Sequence, residues 1–176
     1  MFARNVGQVN AALMIHSRIP LRLGELARAS GLPRQIVASA LRTLEKRGIA
    51  KRTRAGDHDV FAPDTLSPYY PSAYLAALVD LPVAAALGSH RAMAAYLYGS
   101  LAVPGLSTPG SDIDLLLVGD FKDKVAVREA LGALGDRLER RVDALLLDPE
   151  ELVAARRAGD TQVWAALDGV RLFGEV

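Results

Sequence analysis

The stretch Tyr98–Gly119, YGSLAVPGLSTPGSDIDLLLVG, decides how the chain is read. An apolar run ends at a Gly-Ser pair, a loop rich in Gly, Pro and Ser follows, and Asp112-Ile113-Asp114 opens a second apolar run. Side chains alternate faces along a strand that rises ~3.3 Å per residue, which puts Asp112 and Asp114 on one face, roughly 7 Å apart. Ile113, Leu115 and Leu117 take the other face. Carboxylates at the mouth of an apolar strand repel each other and cost desolvation unless a cation lies between them. Mg²⁺ suits that demand, because it is held by one or two carboxylates together with substrate phosphates and water. A third carboxylate is expected on a neighbouring strand. Arg141–Leu147, RVDALLL, reads as that strand, with Asp143 on the face opposite Val142, Ala144 and Leu146.

Gly99 and Ser100 complete the pattern. A Gly-Ser turn after a strand lets the backbone approach a phosphate, and its amides can bind the anion. No Gly-Lys-Ser/Thr follows, so this is not a Walker A loop. In these residues the chain resembles the minimal nucleotidyltransferases of the polymerase-beta-like superfamily, whose motif is Gly-Ser, a short spacer and Asp-x-Asp. Here the spacer is the eleven residues Leu101 to Ser111. The resemblance covers roughly residues 94–174, including the ending GDTQVWAALDGVRLFG.

It implies that Gly99, Ser100 and Ser111 contact the nucleotide. It also implies that Asp112, Asp114 and Asp143 hold Mg²⁺ or Mn²⁺ and are catalytic, with Asp143 activating the attacking hydroxyl. The implied substrate is an NTP, expected to be ATP. Where the family often has Ala-Arg-Gly after Gly-Ser, this chain has Ala102-Val103-Pro104-Gly105. A positive charge near the phosphates is thereby missing.

The net charge of +1 hides an asymmetry: residues 1–66 carry 11 Lys and Arg against 5 Asp and Glu, residues 67–176 carry 10 against 15. The front suits a polyanion and the back suits cations. There is no cysteine, which excludes disulfides, thiol nucleophiles and thiolate zinc sites. His16, His58 and His90 match no metal-ligand spacing and are expected at the surface or in turns. The longest apolar stretch, Ala73 to Leu87, is interrupted by Asp80 and Pro82, so no membrane span and a cytoplasmic location are expected.

Apolar spacing predicts helices over 7–17 and 23–29, and a third from Pro33 to about Arg47 with Ile36, Val37, Ala40, Leu41 and Leu44 on one stripe. Gly31 and Gly48 are their stop signals. A hairpin over 49–62, turning near Ala55-Gly56-Asp57, follows. This order is similar to winged helix-turn-helix regulators of the ArsR and MarR type over about residues 9–63. The resemblance implies double-stranded DNA as partner, a homodimer, and contacts from Arg34, Gln35, Ser39, Arg42 and Lys46 on the third helix and from Lys51, Arg52 and Arg54 on the wing.

Asp64 to Ser72 reads as a connector, with Tyr69 and Tyr70 as junction packing or a stacking platform. Ser72 is placed to cap a helix running from Ala73 to about Gly88. Trp164 is expected in the core. Arg140, Arg141, Arg156 and Arg157 form a basic set open to triphosphate, to an acidic partner or to plain solvation.

The sequence thus predicts a mixed α/β (α+β) chain with a winged helix-turn-helix at 1–66, a linker and helix at 67–90, and a small mixed-sheet nucleotidyltransferase domain at 91–176. The implied function is Mg²⁺-dependent transfer of NMP from an NTP to a hydroxyl by a DNA-binding regulator. The alternative is a non-catalytic regulator that senses nucleotide through a relict domain. A third reading is an antitoxin acting on a HEPN toxin.

Overall fold

The structure is a computed structural model; it describes residues 2–16 and 19–176. The chain is mixed α and β with two sheets. It divides into two compact units, Met1–Leu81 with Arg137–Glu139, and Pro82–Asp136 with Arg140–Val176.

The first unit begins with α1 (Phe2–Ile15), which buries Val9, Ala12, Leu13 and Ile15 as its spacing requires. The end expected at Ser17 lies outside the described residues. Helix α2 (Leu23–Ser30) stops at Gly31, whose φ of 68° is the left-handed conformation that closes a helix most easily in glycine. Helix α3 (Arg34–Lys46) follows Pro33, its N-cap residue, and ends before Gly48, also left-handed at φ 65°. The buried stripe of α3 is Val37, Ala40, Leu41 and Leu44; Ile36, expected among them, is 37% exposed, because it lies at the stripe's edge in the first turn. Strands β2 (Ala50–Ala55) and β3 (His58–Pro63) form a hairpin with Ala55 paired to His58 across Gly56-Asp57. The two-residue β1 (Leu21–Arg22) pairs with β3 on its other side, giving the order β1-β3-β2.

Helix α4 (Tyr70–Val79) belongs to this unit. The Asn10 side-chain amide donates to the Ala73 carbonyl at 2.8 Å, tying α1 to α4. The single helix expected from Ala73 to Gly88 is two: α4 ends at Asp80, and α5 (Val83–Leu87) starts after Pro82 in the second unit. Pro82 has no amide proton and disfavours helical backbone in the residue before it, which accounts for the break. The apolar window Tyr70–Leu87 is 18 residues long, but the same break divides it. Ser72 is inside α4 rather than capping it, and Pro71 occupies the first turn instead. Tyr70 packs on Tyr74 with ring centroids 5.9 Å apart, whereas Tyr69 is exposed, so the two tyrosines do not act as one platform.

The second unit is a four-stranded sheet of order β6-β5-β4-β7, from β4 (Ala92–Tyr98), β5 (Ile113–Gly119), β6 (Val142–Leu147) and β7 (Val170–Phe173). Strand β4 is antiparallel to β5 and β7, and β5 is parallel to β6. A parallel pair needs a crossover, here α6 (Lys124–Leu138). A Cβ added at Gly135 of α6 would meet the Val142 side chain at 3.0 Å, which puts α6 on the Val142, Ala144 and Leu146 face. Helices α7 (Pro149–Arg157) and α8 (Thr161–Leu167) cover the other face, where Leu152, Val163 and Ala166 pack with Ala94, Tyr96, Leu116 and Val118. By strand alternation this second face also carries Tyr98, Asp114 and Asp143 at its end.

Candidate functional site

Asp114 and Asp143 are in-register neighbours on β5 and β6, and Tyr98 is the partner of Asp114 on β4. Three polar side chains therefore end one sheet face whose interior is apolar. Leu116, Val118, Leu145 and Leu147 continue that face under α7 and α8, so the carboxylates stand where the apolar cover gives out. Asp114 is half-buried, and burial is the main reason its pKa is raised; repulsion from Asp112 and Asp143 adds to it and Arg141 opposes it. Tyr98 is held up by burial too, its phenol accepting from the Gln162 side chain at 3.0 Å, with Asp114 and Asp143 raising it further. Such a cluster favours a cation.

Gly99 follows at φ 73° and ψ −161°, a backbone conformation that glycine alone adopts readily. A Cβ there would overlap Asp114 Oδ2. The Gly-Ser turn is thus packed against the carboxylate by its lack of a side chain. Ser100 opens a short 3-10 turn, Ser100–Ala102, and donates to the Ser111 hydroxyl at 3.0 Å. The Ser111 hydroxyl also accepts from the Thr108 amide at 2.9 Å. Gly99, Ser100 and Ser111, chosen from sequence, are accordingly brought together beside Asp114.

Asp112 precedes β5 and is engaged elsewhere. Its Oδ2 accepts from Arg141 Nε at 3.0 Å and Nη2 at 2.6 Å. Among the described residues no three or more His, Asp or Glu side chains are gathered into a ready metal site. Asp114 and Asp143 fit a divalent cation by adjacency and mutual repulsion, and Asp112 is near enough to add to the repulsion on Asp114.

The expected basic set separates by role. Arg140 is buried, and its Nη1 donates to the carbonyls of Thr108 at 2.9 Å and Ser111 at 2.5 Å, bracing the loop that carries Ser111. Its solvation is thereby ruled out. Arg156 lies 5.4 Å from the centroid of the Trp164 ring, and Trp164 is 43% exposed rather than in the core, because Val163 and Ala166 take the inner positions of α8. His16 is buried, not at the surface, because it continues the buried run at the end of α1. Tyr98 and Gln162 are site-building residues that sequence reasoning did not assign, and Arg140, expected as a triphosphate, partner or solvated group, is instead a brace for the loop.

No family model, curated protein or solved structure matches this chain.

In the first unit the polar side of α3 is open: Arg34, Gln35, Arg42 and Lys46 are exposed and Ser39 is half-buried. Lys51, Arg52 and Arg54 are exposed on β2. Arg52 is already faced by Glu45 and Asp59, each at 3.5 Å, and Arg54 donates to the Gly56 carbonyl at 3.4 Å. Beside them, an open cleft of about 940 Å³ is lined by Arg22, Arg28 and Arg34 together with Glu25, Asp57, His58 and Asp59. Three arginines and three carboxylates share that cleft, so it does not extend the basic surface of α3 and the hairpin.

Proposed function

We propose that the second unit is a nucleotidyltransferase domain and that the first is a winged helix-turn-helix that binds double-stranded DNA. The observation that carries the catalytic half is Gly99 packed on Asp114, with Asp143 in register beside it and the Ser100–Ser111 hydroxyl pair next to the turn. Asp114 and Asp143 would hold a divalent cation, with Asp112 as the third ligand. A bound Mg²⁺ or Mn²⁺ supplies charge neutralisation on the phosphates and on the leaving oxygen. The Gly99–Ser100 turn and the Ser100 and Ser111 hydroxyls bind and orient the phosphate chain. Asp143, exposed at its strand edge, accepts the proton of the attacking hydroxyl. The hydroxyl oxygen bonds to the α-phosphorus as the bond to the β-phosphate bridging oxygen breaks, and pyrophosphate leaves.

The DNA-binding half rests on the exposed polar side of α3 beside a basic hairpin, residue types suited to base edges and phosphates. A homodimer reading paired half-sites belongs to this proposal.

The test is pyrophosphate release from each NTP with Mg²⁺, offered protein, tRNA and small-molecule hydroxyls, for wild type and for Asp112→Ala with Asp114→Ala. Release by wild type alone supports transfer. A second reading, nucleotide sensing without turnover, is favoured by the engagement of Asp112 with Arg141. It expects nucleotide binding with equal background release in both proteins.

A further inference from the structure

Two adjacent arginines, Arg140 and Arg141, serve the site differently. Arg140 is buried and committed to loop carbonyls. Arg141 has a fixed backbone, its carbonyl accepting from the Ile113 amide at 2.8 Å, but its side chain is 72% exposed. Both of its donors converge on one oxygen of Asp112, so the pair is not the two-oxygen fork that makes arginine–carboxylate contacts strongest. The β5–β6 register, with Ile113 opposite Val142, puts Arg141 beside Asp112 when it is continued by one residue. Arg141 is also two residues from Asp143 in an extended segment, so it shares the Asp143 side of the strand. All three carboxylates act electrostatically on its guanidinium. An exposed pair of this kind is weak and readily exchanged.

We propose that Arg141 and a divalent cation compete for Asp112, and that the guanidinium displaced in this exchange becomes a phosphate-binding group for the nucleotide. The inference rests on the nucleotidyltransferase reading and deepens it by naming Arg141 as a phosphate-binding residue. Its position supplies the reason. The Arg141 guanidinium is held on Asp112, the residue after Ser111, and the Ser111 hydroxyl accepts from Ser100 at 3.0 Å, so the guanidinium and the Gly99–Ser100 turn adjoin the same loop end. Once Asp112 turns to a cation, the charge of Arg141 is left facing that region with five donors and no acceptor. Planar guanidinium donors match phosphate oxygens well.

The experiment measures free Mn²⁺ by electron paramagnetic resonance in titrations of the full chain, for wild type, Arg141→Ala, Arg141→Lys and Asp114→Asn. The same proteins are then titrated, at saturating Mn²⁺, with the α,β-methylene analogues of the four NTPs. Without nucleotide, Arg141→Ala is expected to bind Mn²⁺ up to about fivefold more tightly than wild type, because the competitor is gone. With Mn²⁺ saturating, it is expected to bind the analogue about tenfold more weakly. Arg141→Lys, which keeps the charge and loses the planar fork, should lie between. Unchanged or weaker Mn²⁺ binding by Arg141→Ala overturns the inference, as does tighter Mn²⁺ binding with unchanged analogue affinity. In either case Asp114-dependent Mn²⁺ binding by wild type leaves the nucleotidyltransferase reading standing. If wild type and Asp114→Asn both bind no Mn²⁺, that reading fails and the inference falls with it.

Discussion

Asp114 and Asp143 are paired in register on adjacent parallel strands, at the point where the apolar cover of their sheet face ends. Two carboxylates held this way are an arrangement the fold tolerates rather than one it gains from. Asp114 has the raised pKa, by burial first and by repulsion from Asp112 and Asp143 second.

A raised carboxyl pKa fixes a sign. The unfolded Asp titrates near ~3.9. The contribution of Asp114 to stability is fully present below that pH and is lost as pH rises through its higher folded value. Asp114→Asn should therefore raise the melting temperature at pH 7 in chelator and flatten the fall in stability above pH 4. Thermal melts from pH 3 to 8 check this; a lower melting temperature for Asp114→Asn across that range would contradict it.

Gly99→Ala should destabilise the protein by about 1–3 kcal/mol, because alanine does not readily adopt the conformation found there. The new methyl would also meet the Asp114 carboxylate. Adding Asp114→Ala should recover the part due to that contact and leave the backbone part. Urea unfolding of the two singles and the double measures both.

The basic wing should not respond uniformly. Lys51→Ala should flatten the salt dependence of DNA binding by about 0.9 in log–log slope, the effect of one lost phosphate contact. Arg52→Ala should flatten it less, since Glu45 and Asp59 already face its charge. Equal slopes for the two variants, read from fluorescence anisotropy at several salt concentrations, would remove that distinction.

Asn10 is buried, and its amide holds the Ala73 carbonyl. Asn10→Ala should cost about 1 kcal/mol, the worth of the lost amide–carbonyl bond. Hydrogen exchange in α4 should rise more than in β5, because the lost bond is local to the first unit.

The parts of this fold legible in the sequence are those written in short-range pattern. Val9, Ala12, Leu13 and Ile15 mark a helix face by spacing, Gly31 and Gly48 mark stops, and Ala55 to His58 marks a hairpin. The alternation in Asp112–Leu117 and Arg141–Leu147 puts Asp114 and Asp143 on strands, each on the face opposite Ile113 and Val142 respectively. What was not legible depends on partners distant in sequence. Gln162 reaches Tyr98 from 64 residues away, and Arg140 reaches Thr108 across 32. Alternation alone sets Asp112 on the side of Asp114, whereas the residue before β6, Arg141, pairs with it. Trp164 misled because large aromatics are usually covered, whereas on a seven-residue helix Val163 and Ala166 fill the inner positions.

The most direct test of the central claim is calorimetric titration of ATP, GTP, CTP and UTP, with Mg²⁺ and with chelator, into wild type and Asp114→Asn. Nucleotide binding that requires Mg²⁺ in wild type and is lost in Asp114→Asn is the predicted result. Binding of no nucleotide, or metal-independent binding unaffected by Asp114→Asn, would contradict the assignment of the second unit.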